Sequence, residues 1–528
     1  VDGLAQAEYR AGTCTGSDTI TAELLSTEGT ATGTVTIADR DAQFIGFLTA
    51  DPIEGTGADR RTLLALRGTG DEDQLRPEAA TLRFEVLEAP VEGLTPEDPG
   101  YFTDPGRVPL AGIPVEFRLT NTLGGISLSR ASATTNSDGI VEVEVQSGNV
   151  ATSTRVIATF DPENGIGEQS VGSAQIVVST GIPDQNSISL SVGEIVAPGT
   201  EEGTLGFNIP DAGVLDGVEV VLTVRAADKF NNPVADGTPA IFTTEYGAVD
   251  ASCETGTRNG ERYRQLRGED PPLRGTCSVV WISQAPRFPT FNQDLIQTIE
   301  DDLSYDCQSH NGVAGPCPDD LGAIRGLRST VLVTMEGEEF FTDQDGNGLY
   351  TQDEPFDNLT EAFIDYNEDS RYTPVQGPDC GFPSTTEACE AAGFEEEFID
   401  KNGDGEFSVN IDPNTGEGVY NGSLCPRDGD GVFCSRELVS VRNSAVLTLS
   451  ASPADYFAAF GNRRFVPRRL ESTLTADQRY DVYISDRFNN PPGVGTQILF
   501  LAQGGCTVDF PPPNEADGGV PSVRVGDT

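Results

Sequence analysis

Short runs in which apolar and polar residues alternate recur along the chain, and turn residues separate them. The cleanest is Ile140-Val-Glu-Val-Glu-Val145, fed by the turn Asp138-Gly139, with one face aliphatic and the other acidic. Similar runs cover residues 155–160, 218–226, 330–334 and 480–485. A period of two puts successive side chains on opposite faces, so each run predicts a strand that turns one face to a core. Turns recurring at intervals of roughly 8–12 residues predict β-sandwiches rather than a parallel α/β fold. No run approaches the ~20 apolar residues of a membrane-spanning helix, and no basic, apolar leader opens the sequence.

One strand–turn–strand unit occurs twice. Asp228-Lys-Phe-Asn-Asn-Pro-Val-Ala-Asp-Gly-Thr-Pro-Ala-Ile-Phe242 and Asp486-Arg-Phe-Asn-Asn-Pro-Pro-Gly-Val-Gly-Thr-Gln-Ile-Leu-Phe500 are identical at eight of fifteen positions. Asn tolerates the left-handed backbone of a turn, and Pro starts the next extended segment. A looser copy runs from Arg107 to Leu119 and continues through the Asp138-Gly139 turn to residues 155–160.

These motifs resemble the bacterial immunoglobulin-like domains of the invasin and intimin type. The matching residues are Asp228, Asn232, Pro233, Gly237 and Phe242 in one copy, and Asp486, Asn490, Pro491, Gly495 and Phe500 in the other. The resemblance covers most of residues 1–340 and 440–528. It implies tandem sandwiches at a cell surface, used as spacers or adhesin stalks, and carries over no catalytic residue. The expected fold is therefore all-β: tandem Ig-like β-sandwiches plus an irregular module stabilised by disulfides and calcium. The expected segments are closing strands at 1–39, an Ig-like domain at 40–180, and another at 181–339 with an insertion at 287–329. A calcium-loop module follows at 340–437, then the front part of an Ig-like domain at 438–528.

The two ends read as halves of one sandwich. Val1-Asp-Gly-Leu-Ala-Gln-Ala-Glu-Tyr-Arg-Ala-Gly12 aligns without a gap on Ser137-Asp-Gly-Ile-Val-Glu-Val-Glu-Val-Gln-Ser-Gly148. Joining Thr528 to Val1 gives a well-formed turn and strand, and brings Cys506 and Cys14 into one domain. The expected partner is thus the chain itself, continued head to tail in a longer chain or between subunits.

Charge sharpens the picture. The 528 residues hold 84 Asp and Glu against 33 Lys and Arg, a net charge of −51. Such a field repels nucleic acid and attracts divalent cations. The acidic residues concentrate into loops at 340–437. Asp343-Gln-Asp-Gly-Asn-Gly-Leu-Tyr-Thr-Gln-Asp-Glu354 fits a twelve-residue calcium loop position by position. Asp343, Asp345 and Asn347 stand at positions 1, 3 and 5, and Gly348 makes the turn. The Leu349 carbonyl, Thr351 and a bidentate Glu354 complete the shell. A second loop starts at Asp400 and offers Asn402, Asp404, the Glu406 carbonyl and Ser408; its twelfth position is Ile411, so Asp412 is the expected closing acid. A third, with Asp365, Asn367 and Asp369, has Ser370 in place of the turn glycine. The flanks are not helical, so these are calcium loops without the paired helices of a sensor. The expected cofactor is calcium.

Ten cysteines fall into the local couples Cys253/Cys277, Cys307/Cys317, Cys380/Cys389 and Cys425/Cys434, with Cys14 and Cys506 near the ends. None forms the C-x-x-C knuckle of a zinc site, so stapling disulfides in an oxidising, extracellular compartment are expected. His310, the sole histidine, sits between two cysteines, and no nucleophile elbow or phosphate-binding glycine loop is present. The expectation is a non-enzymatic structural protein of a bacterial surface or the extracellular space, forming a stiff calcium-stabilised fibre. The competing expectation is the stalk of an adhesin whose binding tip lies elsewhere.

Overall fold

A computed structural model describes residues 16–24, 29–37, 44–55, 57–70, 77–162, 167–196, 204–205, 208–285, 287, 327–366, 368, 370–372, 396–409 and 418–450. It also describes short segments at 456–459, 466–467, 482–485, 493, 497–499 and 522–524. The fold is mostly β-strand with disulfides. The chain divides into two compact units. One comprises Val1–Gly181, Asp343–Glu354 and Ser423–Val432; the other comprises Ile182–Thr342, Pro355–Gly422 and Phe433–Thr528.

In the first unit, the alternating run forms the strand Ile140–Gln146, with Val141, Val143 and Val145 buried. It pairs antiparallel with Ala79–Leu87, which pairs in turn with Phe44–Asp51. A second sheet has the order Gln169–Gly172, Val156–Phe160, Pro114–Leu119, Ser132–Thr134. Phe84 of the first sheet and Phe117 of the second meet with ring centroids 5.8 Å apart, so both sheets turn their apolar faces to a common core. The turn into Ile140–Gln146 needs its glycine: Gly139 has φ +72°, and a Cβ there would lie 2.8 Å from the Val86 carbonyl oxygen. Glu85 is fully buried in this core. Arg107 stabilises its carboxylate at 2.9 Å, and the Tyr101 hydroxyl donates to it.

The core of the second unit lies between two five-stranded sheets. One runs Thr204–Leu205, Ile188–Val196, Glu219–Ala226, Thr276–Ile282, Ala248–Val249; the other runs Asn208–Ile209, Val439–Leu449, Arg328–Gly337, Pro239–Thr244, Ser252–Glu254. Val220, Leu222, Val224 and Trp281 from the first share one core with Val331, Val333, Met335, Val441 and Leu447 from the second. The Cys253–Cys277 disulfide ties the two sheets together. Trp281 fills the centre, and its indole N–H donates to the Tyr246 carbonyl at 2.8 Å. The Asn-Asn-Pro segment is a tight turn: Asp228 accepts from the Phe230 and Asn232 amides, and Asn231 adopts φ +60°.

One boundary departs from the sequence expectation. Residues 438–449 were expected to open the last segment. Instead Val439–Leu449 pairs antiparallel with Arg328–Gly337 from Arg328↔Thr448 to Gly337↔Val439, and its Val441 and Leu447 enter the core of the second unit. The acidic region is therefore an insertion between two directly paired neighbouring strands. The alternation of Val439–Leu449 is the same whichever sheet it joins, so local pattern cannot choose its partner.

The insertion at 287–329 lies outside the described residues except for its ends, as do Cys14, Cys307, Cys317, Cys380, Cys389 and Cys506. Residues 1–12 and 525–528, on which the head-to-tail expectation rests, lie outside them too. Cys425 and Cys434 are both disulfide-bonded.

Candidate metal centre

The loop Asp343–Glu354 is wound by its own side chains. Asp343 accepts from the Gly346 and Gly348 amides at 2.7 and 2.9 Å. Asp345 accepts from the Asn347 amide at 2.9 Å and from the Thr351 hydroxyl at 3.0 Å. The two glycines take φ +73° and +80°, the left-handed backbone that lets so short a loop close on itself. Glu354 then clamps both ends: Oε1 accepts from the Gln344 amide at 2.7 Å, and Oε2 accepts from the Thr351 amide at 2.8 Å.

The result is a convergence of charge. One carboxylate oxygen each from Asp343, Asp345 and Glu354 lies within 4.8 Å of the others, with Glu354 only 6% exposed. Three carboxylates so close repel one another, and an acidic cluster of this kind can chelate a divalent cation. The donor set is entirely hard oxygen, without imidazole or thiolate, and such a set suits a hard cation better than zinc or copper. Asn347 turns its amide nitrogen toward Asp345 and Thr351, the favourable orientation among anionic neighbours; a half-turn of the same amide presents its oxygen instead.

The loop at Asp400 repeats this winding. Asp400 accepts from the Gly403 and Gly405 amides at 2.6 and 2.9 Å, and Asp404 from the Glu406 amide at 2.7 Å. Asn402 lies against Asp404 and Ser408 at 2.9 and 3.0 Å. The expected closing acid, Asp412, lies outside the described residues. Among the described residues Glu361 lies over the loop, accepting from the Lys401 amide at 2.8 Å and the Ser408 amide at 2.9 Å. These are the second and ninth residues of the loop, the same two positions that Glu354 holds in the first. Glu361 precedes Lys401 by 40 residues, so no twelve-residue window contains it.

At the third loop, Asp365 accepts from the Ser370 amide at 2.8 Å, as the first Asp of the other loops does from their sixth residue. Asn367 and Asp369 lie outside the described residues. Glu368 and Ser370 adopt φ +61° and +64° without being glycine, and Glu368 is engaged by the Arg328 guanidinium at 2.6 Å.

No family model and no curated protein matches the chain. Among solved structures it is similar to the D0-D1 domain of intimin, at 14% identity over 51% of this chain and 85% of that one, with TM-score 0.17. It is also similar to a C-terminal fragment of intimin solved with the intimin-binding domain of the translocated intimin receptor (11%, 56% and 60%, TM-score 0.17). A third likeness is to the Yersinia pseudotuberculosis adhesin InvE (10%, 60% and 74%, TM-score 0.15). These are remote and partial likenesses to bacterial adhesin domains, and the functional reading below rests on the residues themselves. No helix among the described residues is long and apolar enough to cross a membrane.

Proposed function

We propose that the chain is an extracellular structural protein, a series of Ig-like sandwiches in which one closing hairpin carries an insertion stabilised by calcium. The observation that carries this reading is the gathering of Asp343, Asp345 and Glu354 within 4.8 Å in an all-oxygen loop. Calcium suits such a loop better than magnesium, because it accepts six to eight oxygens in flexible geometry, whereas magnesium keeps an octahedral shell of its own waters. The residues that would hold it are Asp343, Asp345, Asn347, Thr351, Glu354 and the Leu349 carbonyl; at the second loop they are Asp400, Asn402, Asp404, the Glu406 carbonyl and Glu361.

The mechanical role follows from where the insertion sits. A long disordered segment between two paired strands raises the entropic cost of closing their hairpin, slowly but without limit as it lengthens. Each bound ion neutralises clustered carboxylates and tightens a segment that its own amide–carboxylate hydrogen bonds already fold, so calcium stabilises the sandwich as well as the loops. An affinity of roughly 10⁻⁴–10⁻³ M would keep the loops loaded in extracellular fluid. The bonded cysteines fit the same compartment.

Differential scanning calorimetry and limited proteolysis with calcium and with EDTA test this reading. Chelation is expected to lower the melting temperature and to speed protease cleavage within residues 340–437 without unfolding them. Identical melting and cleavage patterns in both buffers would refute the structural role of calcium.

A further inference from the structure

Four segments of the acidic insertion share one pattern, a glutamate, a phenylalanine two residues on, and an Asp or Asn two further. They are Glu339-Phe-Phe-Thr-Asp343, Glu354-Pro-Phe-Asp-Asn358, Glu361-Ala-Phe-Ile-Asp365 and Glu396-Glu-Phe-Ile-Asp400. The structure pairs them two by two, and each pairing is made at the phenylalanine. Phe341 forms an antiparallel bridge with Phe356, and Phe363 with Phe398. In both pairs the residue after each phenylalanine donates to the carbonyl of the residue before its partner. Thr342 donates to Pro355 and Asp357 to Phe340, at 2.8 and 2.9 Å; Ile364 donates to Glu397 and Ile399 to Ala362, at 2.9 and 2.7 Å. Each pair is thus a small two-fold ladder.

The glutamates do not serve the loops that follow them. Glu361 stands just before the loop at Asp365, yet it holds the Lys401 and Ser408 amides of the loop at Asp400. Glu396 stands just before the loop at Asp400, yet its Oε1 accepts from Tyr366, the second residue of the loop at Asp365, at 2.9 Å. The other pair follows the same rule. Glu354, head of the second copy, closes the loop that follows the first. Glu339, head of the first copy, accepts at 2.7 Å from Leu359, the residue after Asn358 in the second copy. The Asn358 copy opens no Asp-rich loop, and Glu339 takes its second amide from Asn421 at 2.7 Å.

We infer that the insertion is built from four copies of one unit that exchange their closing glutamates within pairs, so that the loops at Asp365 and Asp400 order as one body. A charged carboxylate accepting backbone amides is a strong hydrogen bond, and here Glu361 and Glu396 each tie the partner's loop to their own strand. The eighth residues of the two loops seal the pair: Tyr372 and Phe407 stack with ring centroids 3.9 Å apart, and Phe363 and Phe398 pack edge-on around them. The exchange lies in backbone amides and needs no ion. Its second consequence, that the two loops load calcium together, rests on the reading proposed above.

Hydrogen exchange on the full chain, read by mass spectrometry with electron-transfer fragmentation, tests it in EDTA. In Glu361→Gln the Lys401 and Ser408 amides are expected to exchange at least about tenfold faster, although the substitution is 40 residues away. In Glu396→Gln the Tyr366 amide is expected to respond likewise. Glu354→Gln, a control in the other pair, is expected to free Gln344 and Thr351 and to leave 401–408 as in the wild type. Wild-type protection of Lys401 and Ser408 in Glu361→Gln, with loss confined to the neighbouring loop, would overturn the exchange. A calcium titration of the same variants by calorimetry then addresses loading. Glu361→Gln is expected to weaken the sites of both loops at 365 and 400, and loss of one site alone would overturn joint loading. If calcium binds nowhere on the wild type, the calcium reading fails and joint loading fails with it, while the exchange is still decided by the EDTA measurement.

Discussion

Asp184 is a carboxylate in the wrong solvent. It is 1% exposed, and its Oδ2 has no hydrogen bond among the described residues. Burial pushes its pKa up to about 6, against the opposing pull of the Asn186 amide and of Lys229; Asp228 and Asp357 add to the rise. A raised pKa means that the folded chain binds the proton more tightly than the unfolded chain. Between the ordinary carboxylate value near 4 and about 6, stability therefore falls as pH rises, and above 6 the native state carries the full penalty of a buried charge. Asp184→Asn keeps the shape and removes the charge. In EDTA, urea denaturation of the second unit is expected to show the variant more stable than wild type by on the order of 2 kcal/mol at pH 8, and the gap is expected to close toward pH 4.5. A pH-independent difference would show that Asp184 is not the titrating group. The stakes differ at Glu85, where Arg107 and Tyr101 saturate the buried carboxylate.

At the scale of the element, what the sequence disclosed depended on how far apart the partners lie. The strand Ile140–Gln146 was legible because period two and a preceding Asp-Gly turn are local features. The loop Asp343–Glu354 was legible because its clamp, Glu354, sits inside the same twelve residues. Glu361 was not, because a carboxylate arriving from a paired strand leaves no mark in the loop it closes; the repeated Glu-x-Phe-x-Asp pattern is its only trace. The same limit hid the partner of Val439–Leu449, whose pairing spans the entire insertion. That pairing makes a prediction about modularity. Gly337 and Val439 are direct partners at the end of the ladder, so a short turn can replace residues 338–438 without stretching either strand. Such a deletion is expected to keep the core around Trp281, seen as retained near-ultraviolet dichroism and a cooperative melt, while its melting temperature stops responding to calcium. A variant that fails to fold with its Cys253–Cys277 disulfide intact would show that the insertion is needed to bring the two strands together.

Across the whole molecule, charge decides when one copy can approach another. A net charge of −51 makes copies repel at low ionic strength, whatever complementarity their ends possess. The alignment of residues 1–12 on 137–148 makes head-to-tail association of copies an expectation of the sequence alone, and solution measurements can test it. Contact between ends is short-ranged, and at about 0.15 M salt the field of the remaining chain decays over ~8 Å. Association is therefore expected to need two conditions together: salt to screen the bodies, and calcium to discharge and tighten the acidic loops. Sedimentation velocity at about 0.15 M NaCl with about 1 mM calcium is expected to show a ladder of linear species, absent in low salt with EDTA. Negative stain is expected to show fibres of uniform width under the first condition. If association runs through the expected closing strands at 1–39, a variant lacking them stays monomeric in both buffers. If the 528-residue chain remains monomeric at every salt and calcium level, assembly between separate subunits is eliminated.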